Sequence, residues 1–165
     1  MKRIILFLSL IMCVLFSIHL INKTRSLTNH QTNKKNTSTL KQEAKIKIGS
    51  KEINVEIADS LYEKEKGLSG KDFILDNEGM IFVFPQKTYP FFWMKGMKFP
   101  LDIIWISNNK IVQIDENIPS PNKIQKESDL PLYRPSEAVD YVLEVNAGFS
   151  KKYSIKKGDT VEIKF

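Results

Sequence analysis

Residues 44–165 of this chain contain neither cysteine nor histidine. The single cysteine, Cys13, and the two histidines, His19 and His30, all lie in the first 43 of the 165 residues. The C-terminal part therefore has no thiol nucleophile, no disulfide, no imidazole base and no thiolate or imidazole ligand for a metal. This excludes zinc enzymes, haem ligation through His, Ser-His-Asp hydrolases and Cys-His transferases. Carboxylate, lysine, tyrosine or hydroxyl chemistry remains, and we expect neither a metal nor another cofactor.

The positive charge of the chain is confined to its N-terminal part. The whole sequence has a net charge of +6, but residues 1–43 hold seven of the 25 Lys and Arg and only one of the 19 acidic residues. Residues 44–165 therefore contain 18 residues of each sign. Because a surface that binds nucleic acid needs clustered positive charge, we do not expect this part to bind nucleic acid.

An apolar segment without charged residues runs from Ile4 to Ile21. At about 1.5 Å per residue it nearly matches a bilayer core of roughly 30 Å. It is also longer than the usual apolar region of a cleaved signal peptide. We therefore predict an N-terminal membrane-anchor helix. Lys2 and Arg3 favour a cytoplasmic N-terminus with the rest of the chain outside the cytoplasm. The alternatives are a cleaved signal peptide, which would release a secreted domain, and a lipoprotein modified at Cys13.

Three regions follow from the composition. Residues 1–21 form the predicted signal anchor, which makes the membrane a partner through residues 4–21. Residues 22–43 are polar and basic and cannot bury enough apolar surface to fold, so they are predicted to be a flexible linker. Residues 44–165 have the composition of a single folded domain.

Alternating apolar residues predict many short strands in this domain. Gly49-Ser50 and Asn108-Asn109 separate pairs of such runs and are typical of hairpin turns. A short helix is predicted after Ser60, because Glu63 three residues later completes a capping box. Many short strands with few short helices predict a mainly β (α+β) domain, a compact barrel-like or sandwich arrangement of mostly antiparallel strands.

Several short motifs occur in order along this domain: EKEKGLSG (63–70), GMIFVF (79–84), FFWMKGMKFPLDIIW (91–105), VLEVNAG (142–148) and KKGDTV (156–161). Together they resemble the domain-of-unknown-function 192 (DUF192) family from about residue 44 to 165. The resemblance implies a small β-rich fold, often exported or tethered to the membrane, and no established activity. Ser69 stands where the family usually has Met, and Gly96-Met97 replace a usual Asn-Thr pair. If that pair served a polar ligand, this chain lacks its side chains.

The segment 91–105 suggests a binding site. Trp93, Met94, Lys95 and Asp102 are candidates for the lining of a ligand pocket, with aromatic walls and a few polar groups that fix the ligand's orientation. In the alternative interpretation Trp93 and Met94 belong to the core, and Asp102 is a structural partner of Lys95 or of backbone N–H groups. An isolated buried carboxylate would cost several kcal/mol, so Asp102 must reach water or a donor. Since both faces of a strand over residues 91–95 are apolar up to Lys95, we expect this strand to be covered on both sides.

Glu144 is the second acid of interest, since it lies within an apolar strand and shares a face with Val142. Together with Asp102 it could form a two-carboxylate site for glycoside hydrolysis or for a hard cation.

The leading hypothesis is a membrane-tethered, extracytoplasmic and non-enzymatic domain that binds a small molecule, a glycan or another envelope component. The alternatives are a glycosidase-like hydrolase that uses Asp102 and Glu144, and a purely structural accessory module. No feature of the sequence indicates a particular protein partner.

The predicted anchor can be tested by fractionating cells that express the full chain. We expect the intact chain in the membrane fraction, because an uncleaved apolar segment of this length is stable in a bilayer. Recovery of the intact chain in the soluble fraction would contradict the anchor.

Overall fold

Seven strands form one sheet in the computed structural model, which describes residues 42–122 and 126–165. The strands are β1 (Glu43–Ile48), β2 (Lys51–Ala58), β3 (Glu78–Thr88), β4 (Leu101–Ser107), β5 (Lys110–Ile118), β6 (Val139–Asn146) and β7 (Val161–Lys164). Two short helices accompany them, α1 (Leu61–Lys66) and α2 (Phe149–Lys152), with one 3-10 turn, Glu127–Asp129. The mainly β class predicted from the sequence is confirmed.

The predicted anchor, residues 4–21, lies outside the described residues, and so does the linker up to residue 41. Within the described part of the chain, no helix is long and apolar enough to cross a membrane.

The sheet has the strand order β5-β4-β6-β3-β2-β1-β7 and is curved into a half-barrel. All neighbouring strands are antiparallel except β2 and β3, which are parallel and are connected through α1. The two ends of the sheet meet at one point, where Lys110 at the start of β5 forms an isolated bridge with Thr160 beside β7. The mostly antiparallel arrangement is therefore confirmed, and of the two predicted architectures the barrel-like one is closer.

Both faces of the sheet are covered by apolar side chains. One face packs Ile104, Leu143 and Val145 against Phe149 of α2. The other face carries Ile103, Phe82, Trp105 and Val142, which pack with Leu68, Phe92 and Met94 from the connecting segments. β4 lies between β5 and β6 with both faces packed, so all seven of its residues are buried.

Local sequence signals account for the turns and for α1. Asn108 and Asn109 have φ values of 49° and 56°, as a tight hairpin turn between β4 and β5 requires. Ser60 Oγ accepts a hydrogen bond from the Glu63 backbone N–H at 3.2 Å, and the Glu63 carboxylate accepts one from the Ser60 N–H at 3.1 Å. This is the predicted capping box.

Residues 91–95 differ from the prediction. Only Phe92 pairs with another segment, through an isolated bridge to Tyr133 in the connection between β5 and β6. Phe92 and Met94 are buried, whereas Phe91 is 58% exposed. The expectation of a strand covered on both sides is wrong, because the outer side of this segment is open.

Asp102 belongs to the framework of the fold. It is fully buried, and its Oδ1 accepts hydrogen bonds from the backbone N–H groups of Asn117 at 2.9 Å and Gly148 at 3.0 Å. Its Oδ2 accepts one from the N–H of Ser150 at 2.9 Å. The carboxylate thus ties β4 to the end of β5 and to the first turn of α2. Lys95 forms its ion pair with Glu127 instead, at 2.6 Å.

Replacing Asp102 by asparagine tests this role. The amide nitrogen would place a donor against backbone donors, so we expect Asp102→Asn to lower the free energy of unfolding by about 2–4 kcal/mol. Denaturant unfolding of the variant and the unchanged protein measures this difference. Asp72→Asn is the control: Asp72 forms an exposed ion pair with Lys98, so its loss should leave stability nearly unchanged. Equal stabilities of the two variants would contradict the role of Asp102.

Candidate functional site

The register between β4 and β6 separates the two acids that the sequence singled out. Asp102 lies opposite Val145, and Ile103 lies opposite Glu144. Residues directly opposite each other share a face and successive residues alternate, so Asp102 and Glu144 project from opposite faces of the sheet. The two-carboxylate site is therefore not formed, and a hydrolase or a hard-cation site built from this pair is excluded.

A pocket of about 120 Å³ lies on the Glu144 side of the sheet. Its lining comes from three parts of the chain: the end of α1 with the residues up to Ser69, the strands β3 and β6, and the segment from residue 90 to 97. The side chains that matter most for its chemistry are Glu144, Phe82, Phe92, Trp93, Lys64 and Lys95.

Glu144 is the buried polar group of this pocket. Glu144 is 5% exposed, and its carboxyl group forms no hydrogen bond or ion pair with another of the described residues. Its neighbours across the strands, Met80 on β3 and Ile103 on β4, are apolar. Burial raises the pKa of Glu144 to about 8, so the group is a neutral carboxylic acid at pH 7 and can donate a hydrogen bond.

Gly67 keeps the space beside this carboxyl group open. It ends α1 with a φ of +49°, a backbone conformation that glycine adopts more readily than other residues. A Cβ atom at this position would lie 3.4 Å from Phe82 Cζ and 3.9 Å from Glu144 Oε2. A longer side chain here would therefore occupy the space next to the carboxyl oxygen.

The inner wall is built from packed aromatic rings. Phe92 meets Phe82 edge-on, with ring centroids 4.7 Å apart, and meets Trp105 edge-on at 5.5 Å. Such edge-to-face contacts hold the rings in defined orientations. The wall next to Glu144 is therefore apolar and firmly packed.

The outer rim combines an aromatic ring with a charged pair. Lys95 Nζ lies 5.1 Å from the centroid of the Trp93 ring and is paired with Glu127. Next to Lys95 in the chain, the Gly96 carbonyl accepts a hydrogen bond from the Gly70 N–H at 3.0 Å. Ser69 Oγ is only 2.1 Å from where a Cβ of residue 96 would stand. Two of the three positions at which this chain departs from the usual DUF192 motifs, Ser69 and Gly96, are therefore in contact.

The structure brings together only part of the predicted ligand site. Trp93 and Lys95 line the pocket, whereas Met94 is 2% exposed and packs in the core, and Asp102 is held by three backbone N–H groups on the other face. Glu144, considered before only as a partner of Asp102, is the central polar group. Its place within an apolar strand was the signal in the sequence, but nothing local indicated that the end of α1 would face it.

No group of three or more His, Cys, Asp or Glu side chains that could hold a metal ion occurs within residues 42–122 and 126–165.

A family profile and two solved structures are similar to this chain. The profile of the DUF192 family, described as an uncharacterized ACR, matches residues 44–163. A candidate transcription regulator from Sinorhizobium meliloti 1021 is 27% identical, with a TM-score of 0.66 over 74% of this chain and 94% of that chain. A protein of unknown function from Novosphingobium aromaticivorans DSM 12444 is 28% identical, with a TM-score of 0.63 over 77% of this chain and 89% of that chain. No curated protein matches the chain. Since the family profile covers essentially the whole described domain, the chain belongs to the DUF192 family.

Proposed function

We propose that this domain is a non-enzymatic module that binds a small ligand, and that the pocket beside Glu144 is its ligand site. The observation that carries the proposal is the carboxyl group of Glu144, which is buried, has no protein partner among the described residues and faces a pocket. The Glu144 oxygens are not among the fully enclosed side-chain atoms that lack a partner, and Glu144 lines the pocket. A ligand in the pocket can therefore reach the carboxyl group and form a hydrogen bond with it.

Aromatic walls around one polar group are typical of small-molecule sites. Phe82, Phe92 and Trp93 supply apolar surface, and Glu144 supplies a group that can fix the orientation of a ligand. A cavity of about 150 Å³ holds a benzene molecule. The pocket of about 120 Å³ therefore suits a compact molecule, or one end of a larger one such as a glycan.

The lack of a hydrogen-bonding or charged partner for Glu144 within the described residues favours a ligand-binding function over a catalytic one. A catalytic carboxylic acid needs a second group that attacks the substrate or activates water. Asp102, the candidate for that second group from the sequence, projects from the other face of the sheet and accepts three backbone hydrogen bonds there.

The apolar N-terminal segment also bears on where the domain would meet its ligand. An anchor over residues 4–21 would hold the domain outside the cytoplasm, where its ligand would be an extracytoplasmic small molecule, a glycan or another envelope component. Transcription regulation, the description of one structural neighbour, is less well supported here, because acidic and basic residues balance in residues 44–165.

Thermal shift measurements on the full chain in a non-ionic detergent test the proposed site. The panel would contain monosaccharides, short carboxylic acids and small amines. We expect at least one of them to raise the melting temperature, since a ligand that binds only the native state stabilises it. Trp93→Ala and Glu144→Met should each reduce this shift, because one removes a wall and the other the polar group.

Phe73→Ala is the matched control, since Phe73 is 70% exposed and does not line the pocket. Its thermal shift should equal that of the unchanged protein. The proposal is wrong if no compound stabilises the protein, or if both pocket variants keep the full shift.

A further inference from the structure

The protonation state of Glu144 and the charges at the pocket mouth together narrow the class of ligand. The residues directly opposite Glu144 on β3 and β4, Met80 and Ile103, are both apolar. The titratable groups that line the pocket are Lys64, Glu65 and Lys66 at the α1 side and Lys95 on the segment from residue 90 to 97. Three lysines therefore line the pocket with one glutamate besides Glu144, and a further glutamate, Glu127, is paired with Lys95.

These lysines are only partly neutralised by carboxylates. Lys64 Nζ donates to the backbone carbonyl of Asp59 at 2.6 Å and lies 5.1 Å from the Phe84 ring. Lys66 lies 5.9 Å from the Tyr62 ring, and Lys95 is paired with Glu127. A mouth with this charge attracts a small anion and repels a cation.

At the inner end of the pocket, Glu144 can bind the carboxylate group of such an anion. A neutral carboxylic acid carries an O–H donor that a carboxylate oxygen can accept, and such charge-assisted hydrogen bonds are stronger than neutral ones. The rings of Phe82, Phe92 and Trp93 beside it offer apolar contact to a short hydrocarbon chain.

We propose, on the basis of the proposed function, that the pocket binds a small organic carboxylate. An oxygen of this ligand accepts a hydrogen bond from the Glu144 carboxyl group, and Lys64, Lys66 and Lys95 attract its charge. No covalent bond forms or breaks, and the proton stays between the two carboxyl groups.

Two substitutions at one position separate this ligand class from a cation. Glu144→Gln keeps an N–H donor at every pH, whereas Glu144→Met removes the donor. The probe is propionate, titrated into the full chain in a non-ionic detergent and followed by ligand-observed NMR. We expect Glu144→Gln to bind propionate about as well as the unchanged protein, and Glu144→Met to bind it at least about tenfold more weakly.

The pH dependence gives an independent readout. Propionate remains ionised from pH 6 to 9, so a change in its affinity reports on the protein. Above the Glu144 pKa of about 8, the donor is lost and a negative charge faces the ligand. The affinity of the unchanged protein should therefore fall by about tenfold per pH unit above that value, while that of Glu144→Gln stays constant.

Propylammonium is the matched cationic probe, and we expect it not to bind. Binding of propylammonium that tightens with rising pH and disappears in Glu144→Gln would overturn the carboxylate class and leave the proposed site intact. Propionate that binds Glu144→Met as tightly as the unchanged protein would overturn both. No detectable binding of propionate would overturn the ligand class alone, provided that another compound stabilises the protein through Glu144.

Discussion

The antiparallel register between β4 and β6 determines where the two buried carboxyl groups of the described domain project. Because side chains alternate along a strand, pairing Asp102 with Val145 and Ile103 with Glu144 sends the acids to opposite faces. On one face Asp102 accepts three backbone N–H groups and holds α2. On the other face Glu144 has no partner within the described residues and opens into the pocket. A slip of one residue would reverse both faces, so the core and the candidate site depend on the same pairing.

The buried carboxyl group of Glu144 makes the stability of the fold depend on pH. The folded-state pKa of Glu144, about 8, lies above its ordinary value of 4.5. The native state therefore keeps a proton that the unfolded chain has already released between these two pH values. The protonated Glu144 contributes most to the free energy of unfolding below pH 4.5. This contribution decreases by roughly 1.4 kcal/mol per pH unit as the pH rises toward 8. Near neutral pH this loss is offset by the apolar burial around β4, where every residue is buried. A strongly shifted carboxyl group in a cleft is a pattern of functional sites.

The local features of the fold could be predicted, and the long-range ones could not. The hairpin turn at Asn108-Asn109 and the capping box at Ser60 are determined by residues that are close together in the chain. Both could therefore be predicted from the sequence. The requirement of Asp102 for a donor was also predictable from its apolar surroundings, but its donors come from residues 117, 148 and 150, which only the folded chain brings together. The pocket depends on the parallel pairing of β2 with β3 and on where α1 ends. For the same reason, the apolar pattern of residues 91–95 predicted a fully covered strand where the structure leaves an open side.

The proposed site depends on Glu144 being a buried, neutral acid that has no partner within residues 42–122 and 126–165. A ¹³C NMR titration of the glutamate side-chain carboxyl groups measures this most directly, with Glu144→Gln to assign the resonance. The Glu144 resonance should titrate with a midpoint of about 8. A midpoint near the ordinary value of 4.5 would show that the carboxyl group is hydrated or paired, and would contradict the account.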